Sequence, residues 1–438
     1  MSIVGRSGVL GLWLFAVFST WRTAPAYIGL ALCIPSMLVI AWQQRGKQLD
    51  SATLLCIALV LWLSGRYALQ QWMEIGTPGL LDSAGDFRSW VLILLFTPLA
   101  TLCRRPAAHH IRNLWILSMA GFSIGTLGYL YENGLDILWS GHRLGFHLNR
   151  PLGAGLYAGC FALALALTVG QWWGSMRCEN MTIARRIIGI GLIALFVTVV
   201  IAAQNRSTYL AAVVVALSSA AILFARLIRS RQGMKGKVTV AATVASIALL
   251  SIVAASNLDL FRERSAIDQD AVAATIRKGL DEAPITAATI RLRLWQFSIE
   301  NVSNAPLIGH GFGDLSEVID QRLRPHGGLS DVERYDHLHN GYLQTIWSQG
   351  LVGLLLWTAL IAVLVRDALR AAKQQPERAA LVPAMWTILA FTAIWAFFDF
   401  RLSHPDMRFF TILMLLSLRL LGRPDDASQN VLAENRHP

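Results

Sequence analysis

About twelve apolar stretches, each close to the length that crosses a lipid bilayer, constrain this chain more than any other feature. They fall near 7–21, 24–42, 51–66, 87–103, 112–131, 150–173, 187–203, 208–225, 238–256, 340–365, 381–399 and 405–421. A hydrocarbon core of about 30 Å takes roughly 20 mostly apolar residues per helix. Inside it every backbone N–H and C=O must find its partner within the protein. The runs are continuous rather than alternating, so they predict helices and not barrel strands. With 55% hydrophobic and only 15% charged residues, the chain has the composition of an all-α polytopic membrane protein. The first stretch has no small-residue cleavage pattern and a second follows at once, so it reads as an uncleaved helix.

Basic residues give the orientation. Arg226, Arg229, Arg231, Lys235 and Lys237, and Arg366, Arg370, Lys373 and Arg378, crowd segments that face the cytoplasm if the N-terminus does too. The short segments on the other side carry fewer, Arg22, Arg66, Arg88 and Arg206 among them. Both termini are therefore expected inside and the long polar segment outside. The net charge of +11 is accounted for by this bias and by attraction to anionic membrane lipid, and gives no support for a nucleic-acid partner. The expected external loop lacks cysteine, so no disulfide framework is predicted.

Four units follow: helices 1–9 over 1–256, an external loop subdomain over 257–339, helices 10–12 over 340–421, and a cytoplasmic tail over 422–438. A structureless loop of that length is uncommon in a compact protein, so function is expected there. It should hold a polar helix near 270–282 ended by Pro284. An amphipathic helix near 287–303 should bury Ile290, Leu294 and Phe297. The turn LIGHGFGD at 307–314 comes next, then a short helix capped by Asp314.

Few charges lie deep in the spans; most sit at their outer ends. That distribution disfavours an ion-coupled carrier, which needs midplane ionisable groups, and favours a site at the outer membrane–water interface. Four positions stand out. Arg206 lies in the QNRST turn, Arg291 and Arg293 in RLRLW, and His339 with Asn340 where the loop enters the tenth span. Asp399 and Arg401 lie in FFDFRLSH. Arginine suits phosphate because its planar fork donates two hydrogen bonds at once. Plainer roles compete: snorkelling for Arg206, a solvated helix face for Arg291, a polar cap for His339, and a structural pair for Asp399 with Arg401. Gly350 and Gly353 lie about 16 and 21 Å beyond His339 along a helix, where small residues three apart predict close packing.

Three motifs carry no expectation. Asp268-Gln269-Asp270 matches a metal-binding DxD but opens a polar helix, where acids favour the dipole. Gly311-Phe312-Gly313-Asp314 matches an intramembrane protease motif but lies in a water-exposed loop. His337 and His339 with His310 and His326 lack a fixed metal-ligand spacing. No metal and no cofactor are expected.

His339-Asn340, nine residues, Gly350, two residues and Gly353, after a long external loop, resemble the O-antigen ligase and polymerase superfamily. RLRLWQFSIENVSNAPLIGHGFGD and the turn arginine Arg206 extend the resemblance over roughly 205–353. It implies a GT-C-like glycosyltransferase architecture in the bacterial inner membrane, with the loop in the periplasm. The implied donor is a glycan on undecaprenyl diphosphate, and the implied acceptor a sugar hydroxyl of the lipid A–core. His339 would be the essential histidine, with Arg206 and Arg291 or Arg293 as the essential arginines; the spacing to Trp295 favours Arg291. The other external loops, 67–86 and 132–149, are short, which favours ligase over polymerase. A transporter or flippase is the alternative from another class.

Overall fold

A computed structural model describes residues 3–43, 45, 49–73, 83–103, 107–140, 142–148, 151–172, 179–229, 258–280, 282–313, 315–316, 318–319, 335–399, 402 and 404–423. Among these the regular structure is helical throughout, with no strand. The helices are α1 (Ile3–Phe18), α2 (Thr23–Gln43), α3 (Ser51–Met73), α4 (Ser83–Ile93), α5 (Phe96–Leu102), α6 (Ala107–Asn133), α7 (Pro151–Trp172), α8 (Glu179–Ala203) and α9 (Arg206–Arg229). They continue with α10 (Leu258–Lys278), α11 (Ala287–Val302), α12 (Gly341–Gln374), α13 (Pro376–Ala379), α14 (Val382–Ala396) and α15 (Pro405–Gly422).

Six helical stretches among the described residues are long and apolar enough to cross a membrane. They are Thr23–Gln43, Ser51–Trp72, Ser83–Leu102, Ala108–Asn133, Gly341–Gln374 and Pro376–Ala396. Arg6–Phe18, Pro151–Ala166 and Ile187–Ala203 are shorter apolar helices. The expected ninth span, 238–256, the proposed cap Asp314, Arg401, His326 and the tail beyond 423 lie outside the described residues.

Two cores organise the fold. The larger runs through the helix bundle, where α1 lies along α2, α7 along α8, and α12 against both α3 and α15. The smaller belongs to the loop: Ile290, Leu294 and Phe297 are buried with Leu315, Val318, Ile319 and Leu338. It also takes in Trp347, with Leu343 packed against it, so the loop's core extends past residue 339 into the first turns of α12.

Local chemistry sets the loop helices. Thr286 and Thr289 cap α11 reciprocally, each side chain accepting from the other's backbone N–H at 3.3 and 2.8 Å. The polar helix expected near 270–282 instead occupies Leu258–Lys278. It stops ahead of Pro284 because Gly279 adopts a φ of 91° and its N–H turns back to the carbonyl of Thr275.

A clamp holds the glycine turn against α12. Gly350 has φ 68° and ψ −175°, which breaks the helix in its first third. The opened backbone pairs with the turn: Leu351 N–H donates to Pro306, and His310 N–H to Trp347. A Cβ at Gly350 would lie 2.0 Å from the carbonyl oxygen of Leu307. Close approach was expected here, but what approaches is the loop's backbone rather than another helix. Gly353 stands where a Cβ would meet the Gln349 side chain and, at 3.3 Å, Trp62 of α3.

From the other side, Trp62, Arg66 and Gln70 repeat every four residues and so share one face of α3. Trp62 donates to the carbonyl of Gln349 at 3.1 Å. Arg66 donates to those of Ile308 and Gly309 at 2.9 and 3.1 Å. Gln70 donates to Phe312 O and accepts from Phe312 N–H, both at 2.9 Å.

Candidate functional site

The clamp fixes the start of α12, and the residues leading into that helix gather the titratable groups. Asn340 is buried and caps α12, its Oδ1 accepting from Tyr342 and Leu343 N–H at 3.0 Å each. That commits the Asn340 side chain to the helix start. The residue before it, His339, has φ 49°, in the left-handed region that non-glycine residues rarely adopt. Outliers of this kind persist where surrounding structure enforces them, often at functional sites.

Asp399, on the turn after α14, is 1% exposed and faces two histidines. Its Oδ1 is 3.5 Å from Nδ1 of His339 and 3.4 Å from Nε2 of His337. Asp336 takes the Nδ1 side of His337, and the two imidazole rings lie 4.2 Å apart. Tyr335 meets His339 edge to face at 5.5 Å. Trp295 of α11 packs edge to face on Phe397, 5.4 Å between centroids, and so ties the loop helix to the turn that carries Asp399.

The two histidines are driven in opposite directions. Burial works against a charge on His337, but the carboxylates of Asp336 and Asp399 outweigh it and hold its pKa above the ordinary histidine value. Burial pushes His339 down, and the charges of His337 and Arg291 add to that against the pull of Asp399. Burial opposes ionisation of Asp336 as well, yet its contact with His337 holds the carboxyl well below the usual range. His339 is thus the group favoured in its neutral, proton-accepting form.

The two arginines of RLRLW have different surroundings. Arg293 is buried and donates to the carbonyls of Leu280 and Ala283, both at 2.9 Å, which engages it in holding the loop's own backbone. Arg291 is half-buried and donates through one Nη back to the Ala287 carbonyl at 3.1 Å. Its charge reaches His339. Arg206, the first residue of α9, pairs with Asp268 of α10. Its helix α9 packs on α14, and α10 packs on α11.

The structure therefore brings His339 and Asp399 together, leaves Arg291 acting on His339 through its charge alone, sets Arg206 on Asp268, and gives Arg293, Asn340, Gly350 and Gly353 scaffold contacts. Sequence reasoning passed over His337 and Asp336 as members of this cluster and set Asp268 aside. It also counted Arg66 only as an outer-end charge, although the four-residue stripe it forms with Trp62 and Gln70 was readable. Among the described residues, one set of side chains has the make-up to hold a metal ion: His337, His339 and Asp399, with ligand atoms within 4.8 Å of one another. His310 stays out of it. Its Nε2 faces the Asn301 carbonyl at 2.9 Å and its ring stacks on Trp347.

A multi-helix membrane protein with a buried acid–histidine cluster where a polar loop meets a helix is the class that fold and site define. Residues 190–358 match the family described as O-antigen ligase, a match that supports the O-antigen ligase superfamily. That segment contains Arg206, the loop helices, the clamp and His339, while Asp399 lies beyond it. Members of the family are membrane glycosyltransferase-like enzymes; the match supports ligase or polymerase function at the family level, and the family implies a lipid-linked glycan and the lipid A–core as substrates in outline. No curated protein matches the chain.

Proposed function

We propose that the protein is the ligase rather than the polymerase, moving a glycan from undecaprenyl diphosphate to a sugar hydroxyl of the lipid A–core. It would do so at the periplasmic face of the inner membrane, in a chain of about twelve spans with both termini in the cytoplasm. The observation that carries the mechanism is the pairing of His339 with buried Asp399, and the positive charge of Arg291 also acts on His339.

Diphosphate is a good leaving group, so the reaction needs cations on it more than it needs an acid. Arg291, half-buried on α11, and Arg206 at the start of α9 supply them. Both absorb the negative charge that grows as the bond from anomeric carbon to phosphate oxygen breaks. The acceptor hydroxyl is a weak nucleophile. Nδ1 of His339 faces Asp399, which leaves Nε2 to take the hydroxyl proton as the new bond from oxygen to anomeric carbon forms. The electron pair of the broken bond leaves with the diphosphate, and the proton passes from Nε2 to solvent or to that product. Attack from the side opposite the leaving group inverts the anomeric centre. No step calls for a metal ion.

In cells that lack the native gene, His339→Ala should leave lipopolysaccharide without long O-antigen while carrier-linked glycan of full length accumulates. Accumulation of single capped repeats on the carrier would mark a polymerase instead, and full-length O-antigen on lipopolysaccharide would dismiss the mechanism.

A further inference from the structure

We infer that His337, His339 and Asp399 form a binding site for a divalent cation of the zinc class, and that filling it switches transfer off. The site stands on geometry alone. Its effect on transfer rests on the role of His339 proposed above.

Two observations carry the site. The first is spacing. The distances from Asp399 Oδ1 to His337 Nε2 and His339 Nδ1, 3.4 and 3.5 Å, are too long for good hydrogen bonds. They do match the edge of a tetrahedron around zinc. Ligands about 2.0–2.1 Å from a common ion stand about 3.4 Å apart. The second is the support behind the ligands. His337 presents Nε2 to the cluster while Asp336 holds its Nδ1. A carboxylate on the far nitrogen is the usual way a metal-bound histidine is oriented and made more basic. Two imidazoles and one carboxylate favour zinc over the hard, oxygen-seeking cations. Three protein ligands leave a fourth position open.

Inhibition follows from the tautomer. A neutral imidazole carries one proton. With Nδ1–H directed at Asp399, Nε2 is bare and can accept the acceptor's proton. A cation on Nδ1 displaces that hydrogen; the neutral ring then carries its proton on Nε2 and has no lone pair to offer. Asp399, drawn to the metal, no longer orients the ring for catalysis. The same three side chains therefore serve either the proton or the metal.

Cobalt(II) alone, added to the full-length protein in detergent, gives a direct reading of the site. Tetrahedral coordination by two nitrogens and an oxygen produces strong visible absorption, where the hydrated ion absorbs weakly. One equivalent should bind, zinc should displace it, and His337→Ala should abolish the band. Asp336→Asn should weaken binding about 10–100-fold, whereas His142→Ala, on an exposed residue outside the cluster, should leave it unchanged. Should His337→Ala unfold, His337→Gln tests the same ligand. No band in folded wild-type protein, or a band that survives loss of His337, overturns the site. Zinc at saturating concentration should suppress transfer at least about tenfold, with recovery on chelation. Bound zinc with undiminished transfer overturns the switch. If His339→Ala loses the band but still transfers glycan, the base assignment fails while the metal site stands.

Discussion

The clamp around Gly350 and the cluster around His339 sit within a dozen residues of each other, yet they are built in opposite ways. In the clamp, Arg66 and Gln70 donate to carbonyls of the glycine turn at ordinary hydrogen-bond lengths, and the opened backbone of α12 pairs with the same turn. In the cluster, a buried carboxylate is shared between two histidines at 3.4 and 3.5 Å, and one of them, His339, sits on a strained backbone. Closed contacts hold a loop in place; open ones leave capacity for a substrate. The chain uses its buried polar groups for short, rigid contacts in one region and holds them in longer ones in the other.

Perturbing the clamp should unfold the loop's docking before it touches chemistry. Gly350→Ala places a Cβ against the Leu307 carbonyl at a positive φ, and should cost about 4 kcal/mol of stability by thermal or denaturant unfolding in detergent. A loss under about 1 kcal/mol would mean the helix break is not enforced. Arg66→Ala leaves two turn carbonyls without their charged donor and should cost about 3 kcal/mol. The two arginines of α11 give a sharper contrast. Arg293→Ala should lose about 2 kcal/mol of stability. Arg291→Ala should stay within about 0.5 kcal/mol of wild type while transfer falls about 10–150-fold, the equivalent of one charge-assisted hydrogen bond. If the two variants behave alike, the division between scaffold and site is wrong. The smallest change is expected at the other arginine. Asp268→Asn weakens a part-exposed charge pair on Arg206 and should tighten donor binding up to about fivefold, since such pairs are worth about 0.2–1 kcal/mol.

Elements set by short-range rules were legible in the sequence. The apolar stretches coincide with helices wherever the structure describes them, and Ile290, Leu294 and Phe297 lie buried in the loop's core as their spacing predicts. The polar helix was misjudged because Gly279, not Pro284, ends it, and a glycine's backbone angle is not visible in sequence. The cluster was legible only in part. His339 and Asp399 each marked a helix end, but they are held together by tertiary contacts across the bundle. His337 and Asp399, 62 residues apart, have no common motif, so the search for metal ligands at fixed spacing missed them. Arg291 and Arg293 were separable only by which face of α11 meets the backbone around Leu280 and Ala283.

The central claim is that His339 accepts the acceptor's proton on a scaffold that does not depend on it. Initial transfer rates of wild type and His339→Ala, in the same detergent with a defined undecaprenyl-diphosphate-linked glycan and lipid A–core, test it most directly. The account predicts a fall of about 10²–10⁴-fold, with anomeric inversion in the wild-type product and an unfolding midpoint for the variant close to that of wild type. A folded His339→Ala protein that transfers within about threefold of the wild-type rate would contradict it.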